Sequence, residues 1–206
     1  MVEKPKSKYH SALGIQTALL EKGMKVFTPL DFQRLFQMTP KNASMTILRN
    51  TKRGLFQKLK NSAYVLNIGY ISLYRIANML YRPSYISLEI ALSRYRMIPE
   101  TVYAVTSVTT KATRHFYTPR GHLTYQKIPR RAFTGYSLMT VEGERVYYAE
   151  PAKALVDYLY FVSLGHVSLN DRLDTKSVSK AEALVYAELF RRPSLTHLIN
   201  TLYDSA

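Results

Sequence analysis

The chain of 206 residues has no cysteine, which excludes a disulfide framework and any thiolate-held metal. Its eight glycines include no glycine-rich loop of the kind that cradles phosphates at the start of a helix. No run of about 18 or more apolar residues occurs, so no membrane-spanning helix is expected. The N-terminus, MVEKPKSKYH, is charged and lacks the apolar stretch of a signal peptide. Acidic residues are scarce as well, with 14 Asp and Glu against 29 Lys and Arg, a net charge of +15. These absences together describe a soluble, cytoplasmic protein that needs no membrane and whose partner is an anion.

The positive charge is uneven. Residues 1–70 hold 12 Lys and Arg against 3 Asp and Glu, whereas residues 71–206 hold 17 against 11. The denser excess coincides with a run of short helical patterns. Residues 1–10 read as a frayed basic arm. Leu13, Gln16, Thr17 and Leu20 then recur at helical spacing, and Gly23 is placed to end that helix. Thr28-Pro29 is an N-cap followed by proline at the first helical position. The helix it opens is expected to bury Leu30 and Leu35, with Phe32 and Phe36. Met38-Thr39-Pro40-Lys41 is a turn, and Asn42–Arg53, NASMTILRNTKR, is a third helix.

That third helix organises the reading of the chain. At about 100° per residue, Ala43, Ile47, Leu48 and Thr51 gather on one side, expected to pack inward. Asn42, Thr46, Arg49, Asn50 and Arg53 gather on the other. Arg and Asn are the side chains that make paired hydrogen bonds to guanine and adenine edges in the major groove. LFQKLK and SAYVLN follow, joined by Asn61-Ser62, as a small basic hairpin. Three short helices and a hairpin in about 60 residues match a winged helix-turn-helix, with Asn42, Thr46, Arg49, Asn50 and Arg53 as base-reading residues. Lys41, Lys52, Lys58 and Lys60 are the expected phosphate contacts.

Residues 67–83 form the join. Ser72 is placed to cap a helix over LYRIANML, and YISLEIALSRYR reads as another helix with Glu89 in an ion pair. From Thr101 the period changes to two. TVYAVTSVTT alternates apolar and hydroxyl residues, as a strand with one wet face does. RHFYT and HLTYQKI flank Pro119-Arg120-Gly121, and YSLMTV and RVYYAE flank Glu142-Gly143-Glu144, so two hairpins are expected. This predicts about five antiparallel strands. Pro151 opens a helix, PAKALVDYLYFV, residues 165–180 read as loop, and two helices close the chain at about 179–190 and 194–203. The fold class is α+β, with a winged helix at 8–68 followed by a helix-and-antiparallel-sheet domain at 69–206.

Catalytic and metal-binding patterns are thin. His10, His115, His122, His166 and His197 show no metal-ligand spacing, so no metal or other cofactor is expected; His115 and His122 read as a cross-strand pair. Glu150, Lys153 and Asp157 share one helix face. They permit a metal-dependent nuclease, with the carboxylates on Mg²⁺ and the lysine on a phosphate. An ion network at a helix start is the preferred reading of the three, and the chain reads as a binding protein rather than an enzyme. Lys111, Arg114, Arg120, Lys127, Arg130 and Arg131 form a second basic string. Interleaved with Phe116, Tyr117 and Tyr125, it is compatible with either a single-strand stacking platform or a sheet with one solvated face.

The runs PSYISLEIALSRYRMIPE, VTSVTTKATRHFYTPRGHLTYQKI and AEPAKALVDYLY resemble the AbiEi family of antitoxin transcriptional regulators. The resemblance extends over about residues 11–165 and is strongest over 83–160. The chain differs from the family pattern at Ile90, Arg96-Met97 and Ala152, where Ser, Gly-Leu and Glu are common. The resemblance implies a winged-helix repressor that binds repeats, expected to be inverted, on double-stranded operator DNA of its own operon. It also implies a second domain for antitoxicity, paired with a nucleotidyltransferase-like toxin in a type IV toxin–antitoxin system linked to phage resistance. An antitoxin that covers its toxin directly is the alternative within that resemblance.

Overall fold

Side-chain caps set the first three helices in place. The computed structural model of the chain describes residues 11–204; the basic arm expected over residues 1–10, and the start of the domain expected from residue 8, lie outside the described residues. Ser11 accepts a hydrogen bond from the Gly14 amide at 3.0 Å and opens α1 (Ala12–Glu21). After β1 (Val26–Phe27), Thr28 and Asp31 form a reciprocal capping box at the start of α2 (Pro29–Phe36). Thr39 accepts from the Asn42 amide at 3.3 Å, and Pro40 opens α3 (Pro40–Lys52). β2 (Phe56–Lys60) and β3 (Ala63–Leu66) pair about Asn61-Ser62, and β1 adds to β3, giving the antiparallel order β1-β3-β2.

Phe27 stands at the centre of this part of the core. Its ring lies 4.9 Å from Phe56 and 5.6 Å from Phe32, and α1 and α3 close the cluster with Ile15, Ala18, Leu19, Ala43 and Ile47. The leucine pattern that marks α1 is not its inward face. Leu13 and Leu20 are exposed, as is Leu30 of α2, while Phe32 and Phe36 are buried. In helices this short, with apolar residues on two sides, the inward side is set by which residues can reach the aromatic cluster.

The chain divides into two compact units. One gathers the residues up to Ile71 with Thr118–Arg120, and the other Ser72–Tyr117 with Gly121–Ala206. The second unit begins with α4 (Leu73–Leu80), whose N-cap Ser72 accepts from the Tyr74 amide. It continues through β4 (Ser84–Ile86), α5 (Glu89–Arg94), β5 (Val105–Thr109), β6 (Arg114–Thr118) and β7 (Gly121–Lys127). A single 3₁₀ turn at Arg130–Ala132 leads to β8 (Tyr136–Val141), β9 (Glu144–Ala149), α6 (Pro151–Ser163), α7 (Lys180–Glu188) and α8 (Pro193–Asp204). With eight helices and two sheets among the described residues, the fold is α+β.

Four expectations for this unit are corrected. Ser84–Ile86 is not the start of a helix but the middle of a six-stranded sheet, ordered β6-β7-β5-β4-β9-β8. A short apolar run buried on both sides has no period that separates strand from helix. The sheet is also mixed rather than antiparallel, since β5 runs parallel to β7 and β4 parallel to β9. All five residues of β5 are buried, so its hydroxyls do not face water. Two of them bond backbone instead: Thr106 donates to the Ser87 carbonyl and Thr109 to the Pro83 carbonyl, each at 2.6 Å. Glu89 forms no ion pair among the described residues, and burial raises its pKa.

Helices cover both faces of the sheet. Register aligns Ile86 with Ser107 and Ser107 with Tyr125, while Tyr85 points the other way. The Tyr125 hydroxyl donates to the Ala77 carbonyl of α4, and the Tyr85 hydroxyl to Asp157 of α6. α6 is buried almost all round, packed on α5, α7 and α8 as well. Arg192 closes its end by donating to the Ser163 carbonyl at 2.7 Å. Among the described residues no helix is long and apolar enough to cross a membrane.

Inside α6, Lys153 and Asp157 are both fully buried and form an ion pair one turn apart. Lys153→Met would leave the Asp157 carboxylate buried without its cation, a cost of about 3–5 kcal/mol. Urea unfolding should show that loss, and Lys153→Met combined with Asp157→Leu should recover most of it. A single-variant loss below about 1 kcal/mol would mean that the carboxylate finds another partner.

Candidate nucleic-acid interface

The outward face of α3 follows from its burial. Ala43, Ile47 and Asn50 point into the core, whereas Lys41, Asn42, Ser44, Met45, Leu48, Arg49 and Lys52 are exposed. At about 100° per residue these seven span an arc of roughly 160°. Thr39 and Pro40 fix where the arc begins, and the Arg53 amide, donating to the Arg49 carbonyl at 3.1 Å, continues the helical bonding to its end. Arg53 is exposed just beyond, and Thr46 sits at the rim, partly covered.

Two residues exchange places relative to the expected wheel. Asn50, expected on the base-reading face, is 3% exposed and lies on the same buried side as Ala43 and Ile47. Its amide nitrogen donates to the Thr46 carbonyl at 2.9 Å, and its side-chain oxygen has no partner among the described residues. Leu48, expected inside, is 50% exposed beside Met45 at 54%. The physical reason is a rotation of the wheel by about one position. A leucine weighs toward the core in a pattern, but only α1 and α2 fix where the core is. Met45 was missed for the same cause, although its four-residue spacing from Lys41 and Arg49 marks it as their neighbour.

Beside α3, the hairpin presents Lys58 outward while Phe56 and Leu59 face the core, with Lys60 partly covered next to a bulge between Lys58 and Lys60. Acidic groups are almost absent from this unit. Between residues 11 and 71 the acids are Glu21 and Asp31, and Asp31 is engaged by the Thr28 amide and hydroxyl. The exposed cations of α3 thus face a field with little internal compensation. That combination can hold an anionic backbone and offers Arg49 and Asn42 for hydrogen bonding and Met45 and Leu48 for apolar contact.

The second basic string does not assemble as a platform. Arg131 donates to the carbonyls of Leu189 and Phe190 at 2.7 and 2.8 Å, closing the end of α7. Arg120, which groups with the first unit, donates to Gln57 at 2.6 Å and Asn67 at 2.7 Å in that unit. The Lys111 ammonium lies over the Tyr81 ring. Arg114, Lys127 and Arg130 are exposed. Of the aromatic residues between them, Tyr125 is wholly buried and Phe116 packs on it, while the exposed Tyr117 stacks on His122 at 4.2 Å. His115 and His122 do lie near each other, with ring centroids 6.1 Å apart.

The nuclease arrangement is not supported by the helix face that suggested it. Asp157 has one oxygen on Lys153, while the other accepts from the Tyr85 and Ser87 hydroxyls at 2.9 and 2.8 Å. Both carboxylate oxygens are occupied and out of reach of solvent. Burial raises the Asp157 pKa and lowers that of Lys153, against the mutual attraction of the pair. Glu150 stands apart at the helix start, where it accepts from the Tyr186 hydroxyl at 2.9 Å. The three residues form no common site, and no group of three His, Cys, Asp or Glu among the described residues could hold a metal ion.

The inward position of Asn50 makes a testable statement. Its backbone amide already serves the helix, so Asn50→Leu removes one side-chain hydrogen bond and one unpaired buried oxygen. Stability should change by less than about 1 kcal/mol in thermal or urea unfolding. A loss above about 2 kcal/mol would show that the side chain is fully hydrogen-bonded in solution.

No family model and no curated protein matches the chain.

Proposed function

We propose that the first unit is a winged helix-turn-helix that binds duplex DNA, with α3 as the recognition helix and the β2–β3 hairpin as the wing. The observation that carries this is the exposed arc of α3, where Lys41, Asn42, Arg49 and Lys52 stand together with Met45 and Leu48. In this reading Arg49, Asn42 and Arg53 meet base edges, Thr46 contributes from the rim, and Met45 and Leu48 meet thymine methyl groups. Lys41, Lys52, Lys58 and Lys60 meet phosphates and set the register. Asn50 holds the helix on its core and reads no base.

The protein then acts as a sequence-specific repressor in the cytoplasm rather than as an enzyme. The resemblance of its second half to the AbiEi family supports a narrower role, an antitoxin that represses its own toxin–antitoxin operon. Its functional partner would be a nucleotidyltransferase-like toxin, and its operator would carry inverted repeats.

Titration with DNA from upstream of its own gene, at two salt concentrations and beside a scrambled duplex, tests the binding reading. Arg49→Ala should cost about 1–3 kcal/mol and relax selectivity at one base pair. An equal loss on every sequence would reassign Arg49 to the phosphate backbone. Lys58→Ala should leave selectivity intact and lower the slope of log K against log salt by about one. An unchanged slope would take the hairpin out of the interface.

A further inference from the structure

The second unit contains a pocket of about 440 Å³ that the DNA-binding reading does not use. It opens where α4 leads into β4, beside β8 and β9. Arg75 and Arg82 line it, with the rings of Phe133, Tyr136 and Tyr147, and no acidic side chain does. This volume lies within the range of small-molecule and cofactor sites, about 300–1,000 Å³.

Its two arginines differ in how they are held. Arg75 donates through Nη1 to the Arg145 carbonyl at 3.0 Å, which fixes the guanidinium at the wall with its remaining N–H groups unassigned. Arg82 is exposed and makes no ion pair among the described residues. Two arginines lining one pocket that no carboxylate lines can hold an anion there, and their planar forks match phosphate oxygens.

The aromatic wall is built more firmly than a surface cluster. Tyr136 stacks on the buried Tyr85 at 4.4 Å and 18°, Phe133 leans on both, and Tyr147 meets Tyr136 edge-on at 89°. Asn78, itself buried, clamps the backbone of Tyr147 by donating to its carbonyl and accepting from its amide. The backbone of Tyr147 is thus held at both polar groups, while the residue remains 49% exposed. At the same wall Ser84 is only 7% exposed and its hydroxyl has no hydrogen-bond partner among the described residues.

We propose that this pocket binds a nucleotide, with its phosphate on Arg75 and Arg82 and its base against Tyr136 and Tyr147. A simple anion would not need a clamped aromatic wall, and a neutral aromatic molecule would leave the two guanidiniums without a counterion. A planar base joined to a phosphate answers both. The same chemistry is carried by a free mononucleotide and by one residue of a single strand. The inference does not depend on whether α3 reads DNA.

Isothermal titration of the full chain with AMP, GMP, CMP and UMP tests it, beside adenosine and inorganic phosphate. At least one mononucleotide should bind, more tightly than adenosine or phosphate alone by about tenfold or more. Arg82→Ala and Tyr147→Ala should each weaken that binding by about tenfold, while Tyr147→Phe, which keeps the ring, should retain it. Unchanged circular dichroism and thermal unfolding of the same variants would exclude misfolding as the cause. A single-stranded hexanucleotide that binds more tightly than its monomer assigns the pocket to a strand; the reverse order assigns it to a free nucleotide. The proposal is overturned if no mononucleotide binds, if phosphate alone binds as well, or if neither alanine variant weakens binding.

Discussion

The ion pair of Lys153 with Asp157 is the constraint on which the second unit depends. Neither charge can reach water, so each is tolerable only while the other stays in place. The surrounding groups are arranged to the same end. Tyr85 and Ser87, both from the β4 segment, donate to the aspartate, and the lysine lies over the rings of Tyr85 and Phe190. Any shift of α6 along the sheet would break several of these contacts at once. An apolar helix could slide by a turn and find similar packing, whereas this one has a single register. Residues 166–204 take their role from the same fact, because α7 and α8 complete the cover over a helix that carries buried charges.

The first unit solves a simpler problem, which is to keep one face of a short helix against an aromatic cluster and leave the other open. Thr28 and Thr39 each pair one of the backbone N–H groups left over at two helix starts, and Asp31 pairs the amide of Thr28. That leaves the exposed arc of α3 without structural duties, and its cations without neighbouring acids. The proposed reading head is therefore the part of the helix that the fold does not require.

Arginine serves several purposes in this chain, and net charge alone does not separate them. Arg131 and Arg192 supply donors to carbonyls just past the end of α7 and at the end of α6, where the helix dipole favours a cation. Arg120 ties Gln57 to Asn67. Arg49 and Arg82 have no such duty among the described residues. The distinction between structural and available cations locates both proposed sites, and a count of +15 could not draw it.

Local signals were legible in the sequence wherever the physics is local. Thr28-Pro29, Ser72 and Pro151 start helices because a cap or a fixed φ acts on its own neighbours, and the hairpins follow from their turn residues. The α+β class and the helix order of the first unit were legible for the same reason. What faces what was not legible. Leu48 and Asn50 changed sides because the inward direction of α3 is set by α1, α2 and Phe27, residues distant in sequence. Ser84–Ile86 became a central strand because β5 and β9 flank it, and β5 and β7 became parallel through pairing that no local pattern encodes. Lys153 and Asp157 read as part of an ion network at a helix start in preference to a metal site; only the closure of α7 and α8 over α6 made them a buried pair. The pocket at Arg75, Arg82 and Tyr147 lies beyond any motif, since its residues come from separate stretches that meet only in the folded chain. Sequence determined where the capped helices and the turn-marked hairpins begin, because those forces act over a few residues. Tertiary structure decided which side chains are free to act, because burial is a property of the whole fold.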